Sequence, residues 1–280
     1  MAVEEGLGSA ARACRAINLA RSSYYRPSLV SVESRRLRKE VLGLSGKHPR
    51  YGYRRITALL RRDGFEVNPK RVQRLRREEG VQVQQKQKRM RRLGVSTAAR
   101  LRATRARQVW SWDFVDDQTE NGSRFRILTL LDEYTRQSLA LHAAWSIRAI
   151  DAITVIKAAI ARYGAPEHPR SDNGPEFIAY CIQDWLQERE IKTLYIAPGS
   201  PWENGHIESF HDKLRDECLK REIFGTLAEA RVILESWRVE YNEERPHSSL
   251  GYQTPGEFAR RVCKFELQSA SPPSVQTCKR

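Results

Sequence analysis

The sequence predicts a mixed α/β protein: one sheet with helices packed on its faces, preceded by a basic, wholly helical region. Three observations predict it. Positive charge is confined to one half, because residues 1–108 hold 28 Lys and Arg against 8 Asp and Glu, whereas residues 109–280 hold 21 against 26. The first half shows helical spacing of apolar residues and no strand alternation. From Val109 three strand-like runs separated by turn residues give way to alternating helix and strand, the order of a mixed sheet.

In the N-terminal region (1–45), Ala10 to Ile17 reads as a short helix and Asn18 as a break. A second short helix runs through Arg21 to Tyr25 and is ended by Pro27. This pair is half of a helix-turn-helix or a packing hairpin. In residues 46–84, His48-Pro49-Arg50-Tyr51-Gly52-Tyr53 leads into a helix with Ile56, Leu59 and Leu60 on its apolar face. Asp63-Gly64 makes the turn. Asn68 is an N-cap with Pro69 in the first helical position, and the second helix ends near Glu79, stopped by Gly80. Val72 and Leu75 form its inner face. Lys70, Arg71, Arg74, Arg76 and Arg77 make it cationic, so a helix-turn-helix that lays this helix in the major groove is expected. An ordinary hairpin with a solvated basic face has the same pattern. Residues 85–108 carry nine Lys and Arg and no acid (Lys86 to Arg107), with no sustained apolar period, and read as a phosphate-tracking linker.

The second half, residues 109–265, supplies the sheet. Val109 to Val115 reads as a buried strand, Asn121-Gly122 as a hairpin turn, and Phe125 to Leu131 and Gln137 to Ala143 as two more strands. Asp151 to Tyr163 is a helix by its stripe of Ile153, Ile156, Ala159 and Ile160, broken by Gly164-Ala165-Pro166. Pro169-Arg170-Ser171 is a short strand, Glu176 to Arg189 a helix, and Ile191 to Ile196 a fifth strand. Ser200 and Glu203 form a capping box with Pro201 at the first helical position. The helix they open carries Ile207, Phe210, Leu214 and Cys218 on one face and Asn204, Glu208, His211 and Arg215 on a neighbouring one. A helix from Leu227 to about Tyr241 and a turn-rich segment to Thr254-Pro255 follow. The Ser/Pro-rich tail, 266–280, reads as disordered.

Composition excludes several classes. The net charge of +15, placed so unevenly, favours a polyanion partner joined to a second activity. Five scattered cysteines form no Cys-x-x-Cys and no zinc spacing, which fits reduced thiols in a cytosolic protein. No apolar run is long enough to span a membrane, and the polar N-terminus has no signal-peptide pattern.

Three acids stand out. Asp113 interrupts an apolar strand, where a carboxylate is costly unless paired, hydrogen-bonded or on a metal. Asp172 lies directly after a strand in Ser171-Asp172-Asn173-Gly174, which is also an Asx-turn composition. Glu208 sits on the helix described above, where an exposed, paired Glu would be ordinary. Together, acids from a central strand, an adjacent strand end and a facing helix can converge. Clustered carboxylates then require hard divalent cations, Mg²⁺ or Mn²⁺, and two such ions suit in-line phosphoryl transfer.

Trp112-Asp113-Phe114, Ser171-Asp172-Asn173-Gly174, and Glu208 with 35 residues between it and Asp172 resemble the DDE signature of the retroviral-integrase superfamily. Arg215 matches the Lys/Arg seven residues after the glutamate. Asn204 to Phe210, Tyr241-Asn242, Arg245-Pro246-His247, Leu250-Gly251-Tyr252 and Thr254-Pro255 are similar to the second-frame (OrfB-type) transposases of bacterial insertion sequences. The resemblance covers roughly residues 10–260. It implies an RNase H-like five-stranded sheet behind a helix-turn-helix, and Mg²⁺-dependent strand cleavage and transfer at inverted terminal repeats. It also implies a homo-oligomer on DNA, a first-frame (OrfA-type) partner, and a nucleoid-associated location in the bacterial cytoplasm. On this resemblance Asp113, Asp172 and Glu208 are catalytic metal ligands, with Asp113 bridging two ions. Arg215 holds terminal phosphates, and Lys70, Arg71, Arg74 and Arg77 bind DNA. Contact with DNA or orientation of Glu208 are the two roles open to Asn204 and His211. Arg245 and His247 support the site, bind DNA or form a structural turn.

Overall fold

The computed structural model describes residues 10–25, 32–83, 102–171, 184–185, 187–189, 194–195 and 205–269. It divides into two compact units, Met1–Gln82 and Val83–Arg280.

The first unit is helical. Helices α1 (Ala10–Ala16) and α2 (Arg21–Tyr25) are separated at Asn18, whose φ of 50° is the left-handed break expected of that residue. Helices α3 (Val32–Lys47), α4 (Tyr53–Arg62) and α5 (Pro69–Glu78) share one core: Leu37 and Val41 from α3, Ile56 and Leu60 from α4, and Val72 and Leu75 from α5. The Asn68 side chain accepts a hydrogen bond from the Lys70 N–H at 2.9 Å, with Pro69 opening α5. The helix-turn-helix is therefore trihelical. It begins at α3, upstream of the expected boundary at 46.

The second unit is built on a five-stranded sheet in the order β3-β2-β1-β4-β5. Strands β1 (Val109–Gln118), β2 (Arg124–Asp132) and β3 (Ser138–Ala144) form an antiparallel meander, and β4 (His168–Ser171) and β5 (Leu194–Tyr195) continue parallel to β1. Helix α6 (Ala149–Tyr163) links the meander to β4. This is the mixed RNase H-like sheet that the resemblance implies.

Alternation along β1 decides which face carries what. Trp110, Trp112 and, from β2, Leu128 and Leu130 pack with Ala152, Ile153 and Ile156 of α6. Val115, Phe125, Ile127 and Leu131 face the other way. They meet Ile207, Phe210 and Leu214 of α7 (Gly205–Leu214), and Leu234, Trp237 and Tyr241 of α8 (Leu227–Glu243). After α7 one turn widens into a π-helix, Arg215–Leu219. Helix α9 (Pro255–Ser269) closes the chain's described part. It starts where the expected turn-rich segment ends: Thr254 and Glu257 cap reciprocally, with the Glu257 N–H on Thr254 Oγ1 and the Thr254 N–H on Glu257 Oε2.

Two expected bounds are corrected: the end of the 85–108 linker is docked within the second unit, with Arg105 on Glu167 and the Arg107 N–H on Asp132, and residues 266–269 of the expected disordered tail continue α9. Several sequence readings fall on residues outside those described: the linker over 85–101, the cap at Ser200 and Pro201, most of the helix from Glu176, the tail from 270, and the site positions Asp172 and Asn204.

Candidate active site

Asp113 lies on the face of β1 that meets α7, level with Thr129 of β2 in the antiparallel register. Its carboxylate is 21% exposed, so it stands at the rim of the core rather than inside it. Oδ1 accepts the Phe114 N–H at 2.7 Å. Oδ2 lies 3.6 Å from His211 Nδ1. The Thr129 hydroxyl donates to the Asp113 carbonyl at 2.8 Å and lies 2.8 Å from His211 Nε2. Asp113 is thus held through both its backbone and its side chain, with α7 against it.

Helix α7 presents Glu208 one turn before His211, on the same face. Glu208 is exposed, while Ile207 and Phe210 beside it are buried, so the core fixes the helix rotation and leaves the carboxylate at the edge. Arg215 follows at the start of the π-turn and is exposed. Its charge acts on Asp117, two side-chain positions beyond Asp113 on the same β1 face, and on His211. Asp113, Glu208, His211 and Arg215 therefore belong to one side of one sheet. Among the described residues no three His, Cys, Asp or Glu side chains form a metal-binding group. Asp113 and Glu208 nevertheless fit a hard cation: both offer carboxylate oxygens at a partly solvated rim, where Mg²⁺ keeps some of its waters.

His211 departs from the expected DNA contact. It is 4% exposed, and both ring nitrogens face the interior. Burial, helped by the Arg215 charge, pushes its pKa down to about 4, so the ring is neutral at pH 7. Its environment suits holding Asp113 and Thr129 together.

In the first unit, Lys70, Arg74 and Arg77 are exposed along α5. Arg71 is half-buried, with its guanidinium on Ser34 Oγ at 2.8 Å. Arg76, counted above in the cationic face, is 2% exposed and donates to the carbonyls of Tyr51 at 2.6 Å and Val81 at 2.8 Å. It ties the ends of the helix-turn-helix together and does not belong to the cationic surface.

Comparison with known proteins agrees with this layout. Residues 103–201 and 189–255 match models of the integrase core domain, and residues 33–89 match an HTH-like domain. The insertion element IS407 uncharacterized 31.7 kDa protein of Burkholderia multivorans is 37% identical over 252 residues, 89% of this chain and 90% of that one. The transposase InsD for insertion element IS2D of Escherichia coli is 31% identical over 244 residues, 78% of this chain and 76% of that one. The chain belongs to the integrase-superfamily transposases of insertion elements. Among solved structures, the HTLV-2 integrase catalytic core domain in complex with magnesium is similar over 56% of this chain and 99% of that one, with 14% identity and a TM-score of 0.45.

Membership connects the chain to DNA transposition and DNA binding. Among the described residues no helix is long and apolar enough to cross a membrane. Two of the motif residues at the end of α8 are buried and paired inside the fold. Asn242 is buried and exchanges two hydrogen bonds with Ser138 at the start of β3, at 2.8 and 2.9 Å. Arg245 is 1% exposed and forms two 2.6 Å bonds to Glu217 of the π-turn, its guanidinium stacked over Tyr241. His247 bonds Ser249 through Nδ1 at 3.0 Å. Asn242 and Arg245 bind the end of α8 to β3 and to the π-turn. Of the three uses open to Arg245, its burial is at odds with direct DNA contact, while support of the site and a structural turn both fit it.

Proposed function

We propose that the chain cleaves DNA strands at the ends of an insertion sequence and joins them to target DNA, through attack of water and then of a 3′-hydroxyl on phosphodiesters. The observation that supports it best is Asp113 at the rim of the central strand, fixed by Phe114, Thr129 and His211 and faced by the helix that carries Glu208. Asp172 is assigned as the third ligand. Ser111 pairs with Arg170 in the parallel β1–β4 ladder, and a ladder continued by two residues would set position 172 level with Asp113. Asp113, Asp172 and Glu208 would hold two Mg²⁺ or Mn²⁺ ions, which supply an activated oxygen nucleophile and stabilise the leaving oxygen. The carboxylates' work would be to place that charge, with Asp113 holding it from the central strand. Arg215 and Asn204 are assigned to the terminal DNA beside it. Lys70, Arg74 and Arg77 are assigned to the duplex through phosphates, with Arg71 at the edge of that surface. Joining two ends to one target calls for at least two active sites, so the working form is an oligomer on DNA.

The test uses the full chain with duplexes carrying the element's ends. Wild type is expected to nick and join them with Mg²⁺ and to do neither with EDTA. Asp113→Asn, Asp172→Asn and Glu208→Gln are expected to lose both steps while binding the duplex in a gel shift. Full joining by any of the three would remove that residue from the site. Cutting without joining by wild type would instead identify a nuclease on the same fold.

A further inference from the structure

A buried ion pair lies beneath the proposed site and takes no part in it. Glu133, the residue after β2, has a side chain with no exposed surface; the Arg170 side chain on β4 is 5% exposed. Arg170 Nη1 donates to both Glu133 oxygens, at 2.6 and 2.7 Å, and the Ser111 hydroxyl of β1 donates to Oε1. The Glu133 N–H in turn donates to the Val109 carbonyl at 3.0 Å. Three strands therefore meet at one carboxylate.

Two ions in such a place contribute little net stability, since a well-packed apolar set of the same volume does as well or better. What the pair does supply is register. Backbone hydrogen bonds can form at more than one register, so side chains decide the alignment; the described pairing of β4 with β1 runs from Val109 with His168 to Ser111 with Arg170. A slip of one residue would turn the Arg170 side chain to the other face of the sheet and leave Glu133 buried without its cation. Asp113 follows Ser111 by two residues, and Asp172 follows Arg170 by two. On the carboxylate reading, the alignment that joins Ser111, Glu133 and Arg170 is the one that, continued by two residues, would bring positions 113 and 172 level.

We infer that Ser111, Glu133 and Arg170 form a register lock: they are positioning residues that set β4 against β1 for the two aspartates. The inference rests on the carboxylate reading above.

The experiment measures Mn²⁺ affinity of the full chain by electron paramagnetic resonance, with thermal unfolding followed in parallel. Glu133→Leu/Arg170→Met removes both charges. It is expected to unfold within a few degrees of wild type, yet to bind Mn²⁺ about tenfold to a hundredfold more weakly. Arg170→Lys, which keeps the pair, is expected to retain most of the affinity. If the double variant does not fold, Glu133→Gln decides by the same titration, with the same weakening expected. A folded variant without the pair that binds Mn²⁺ as wild type does overturns the lock. Asp113→Asn is the control. If it too leaves Mn²⁺ binding unchanged, the carboxylate reading has failed, and the lock's role in placing metal ligands falls with it.

Discussion

Arg245 shows why a residue's place in a family motif does not give its job. In the sequence it stands between an acidic pair and Pro246, where a DNA contact and a buried anchor look alike. Its partner, Glu217, lies 28 residues earlier in a π-turn that helical spacing does not anticipate. With Arg245 1% and Glu217 9% exposed, breaking the pair leaves a carboxylate in the core. Arg245→Met is expected to cost about 3–5 kcal/mol. That lowers the melting temperature of a unit this size by roughly 6–20 °C. Glu217→Leu/Arg245→Met is expected to recover most of the loss, as calorimetry would show; a single variant that melts like wild type would return Arg245 to the surface. Cys218 gives a second prediction at this scale. Burial, then the charges of Glu222 and Asp117, push its thiol up to about 12. At pH 8 the thiolate fraction is then only about one in ten thousand. Iodoacetamide is expected to label the exposed Cys263 and spare Cys218 in the native protein, with peptide mass spectrometry as the readout.

At the level of elements, periodicity identified what had a strong apolar stripe and passed over what did not. The α4–α5 pair was legible, because Ile56, Leu60, Val72 and Leu75 are spaced for one face and Asn68-Pro69 marks a start. Helix α3 was not. Its core residues are few, Leu37 and Val41 with Leu44 beside them, and Gly43 and Gly46 lower its helix propensity. Tertiary packing makes it a helix. The start of α9 carries a legible signal, since Thr254-Pro255-Gly256-Glu257 has the same capping-box pattern as Ser200 to Glu203. On α5 the periodicity also separates exposed cations from an interior one. Lys70, Arg74 and Arg77 are exposed, whereas Arg76 is inside. Arg74→Ala and Arg77→Ala are each expected to change stability by less than about 0.5 kcal/mol. Each is expected to weaken binding to any duplex and to reduce the salt slope by about one. Arg76→Ala is expected to destabilise the first unit by about 1–3 kcal/mol, because two interior carbonyls lose their donor. Melting curves that rank Arg76→Ala with Arg74→Ala would contradict the interior placement.

Across the whole molecule the charge is divided as the work is proposed to be. The first 108 residues carry the excess of cations, and the remainder, with its three proposed metal ligands, is slightly acidic. Net negative charge repels a phosphate backbone unless cations lie between them, so residues 109–280 are expected to add little DNA affinity of their own away from Arg215 and the proposed metal ions. Binding of the full chain should therefore be governed by counterion release at the basic half. If that half neutralises six or more phosphates, affinity falls by about 10³-fold or more between 50 and 200 mM salt. The Asp113→Asn chain isolates the two contributions, because it removes a proposed metal ligand and adds no cation to the basic half. Its plot of log affinity against log salt, measured by fluorescence anisotropy on a short duplex in EDTA, is expected to have the wild-type slope. Substituting Lys70, Arg74 and Arg77 together by Ala should reduce that slope by about three. A slope that collapses in Asp113→Asn and survives the triple substitution would place the principal DNA grip on the sheet, and the helix-turn-helix would then need another partner.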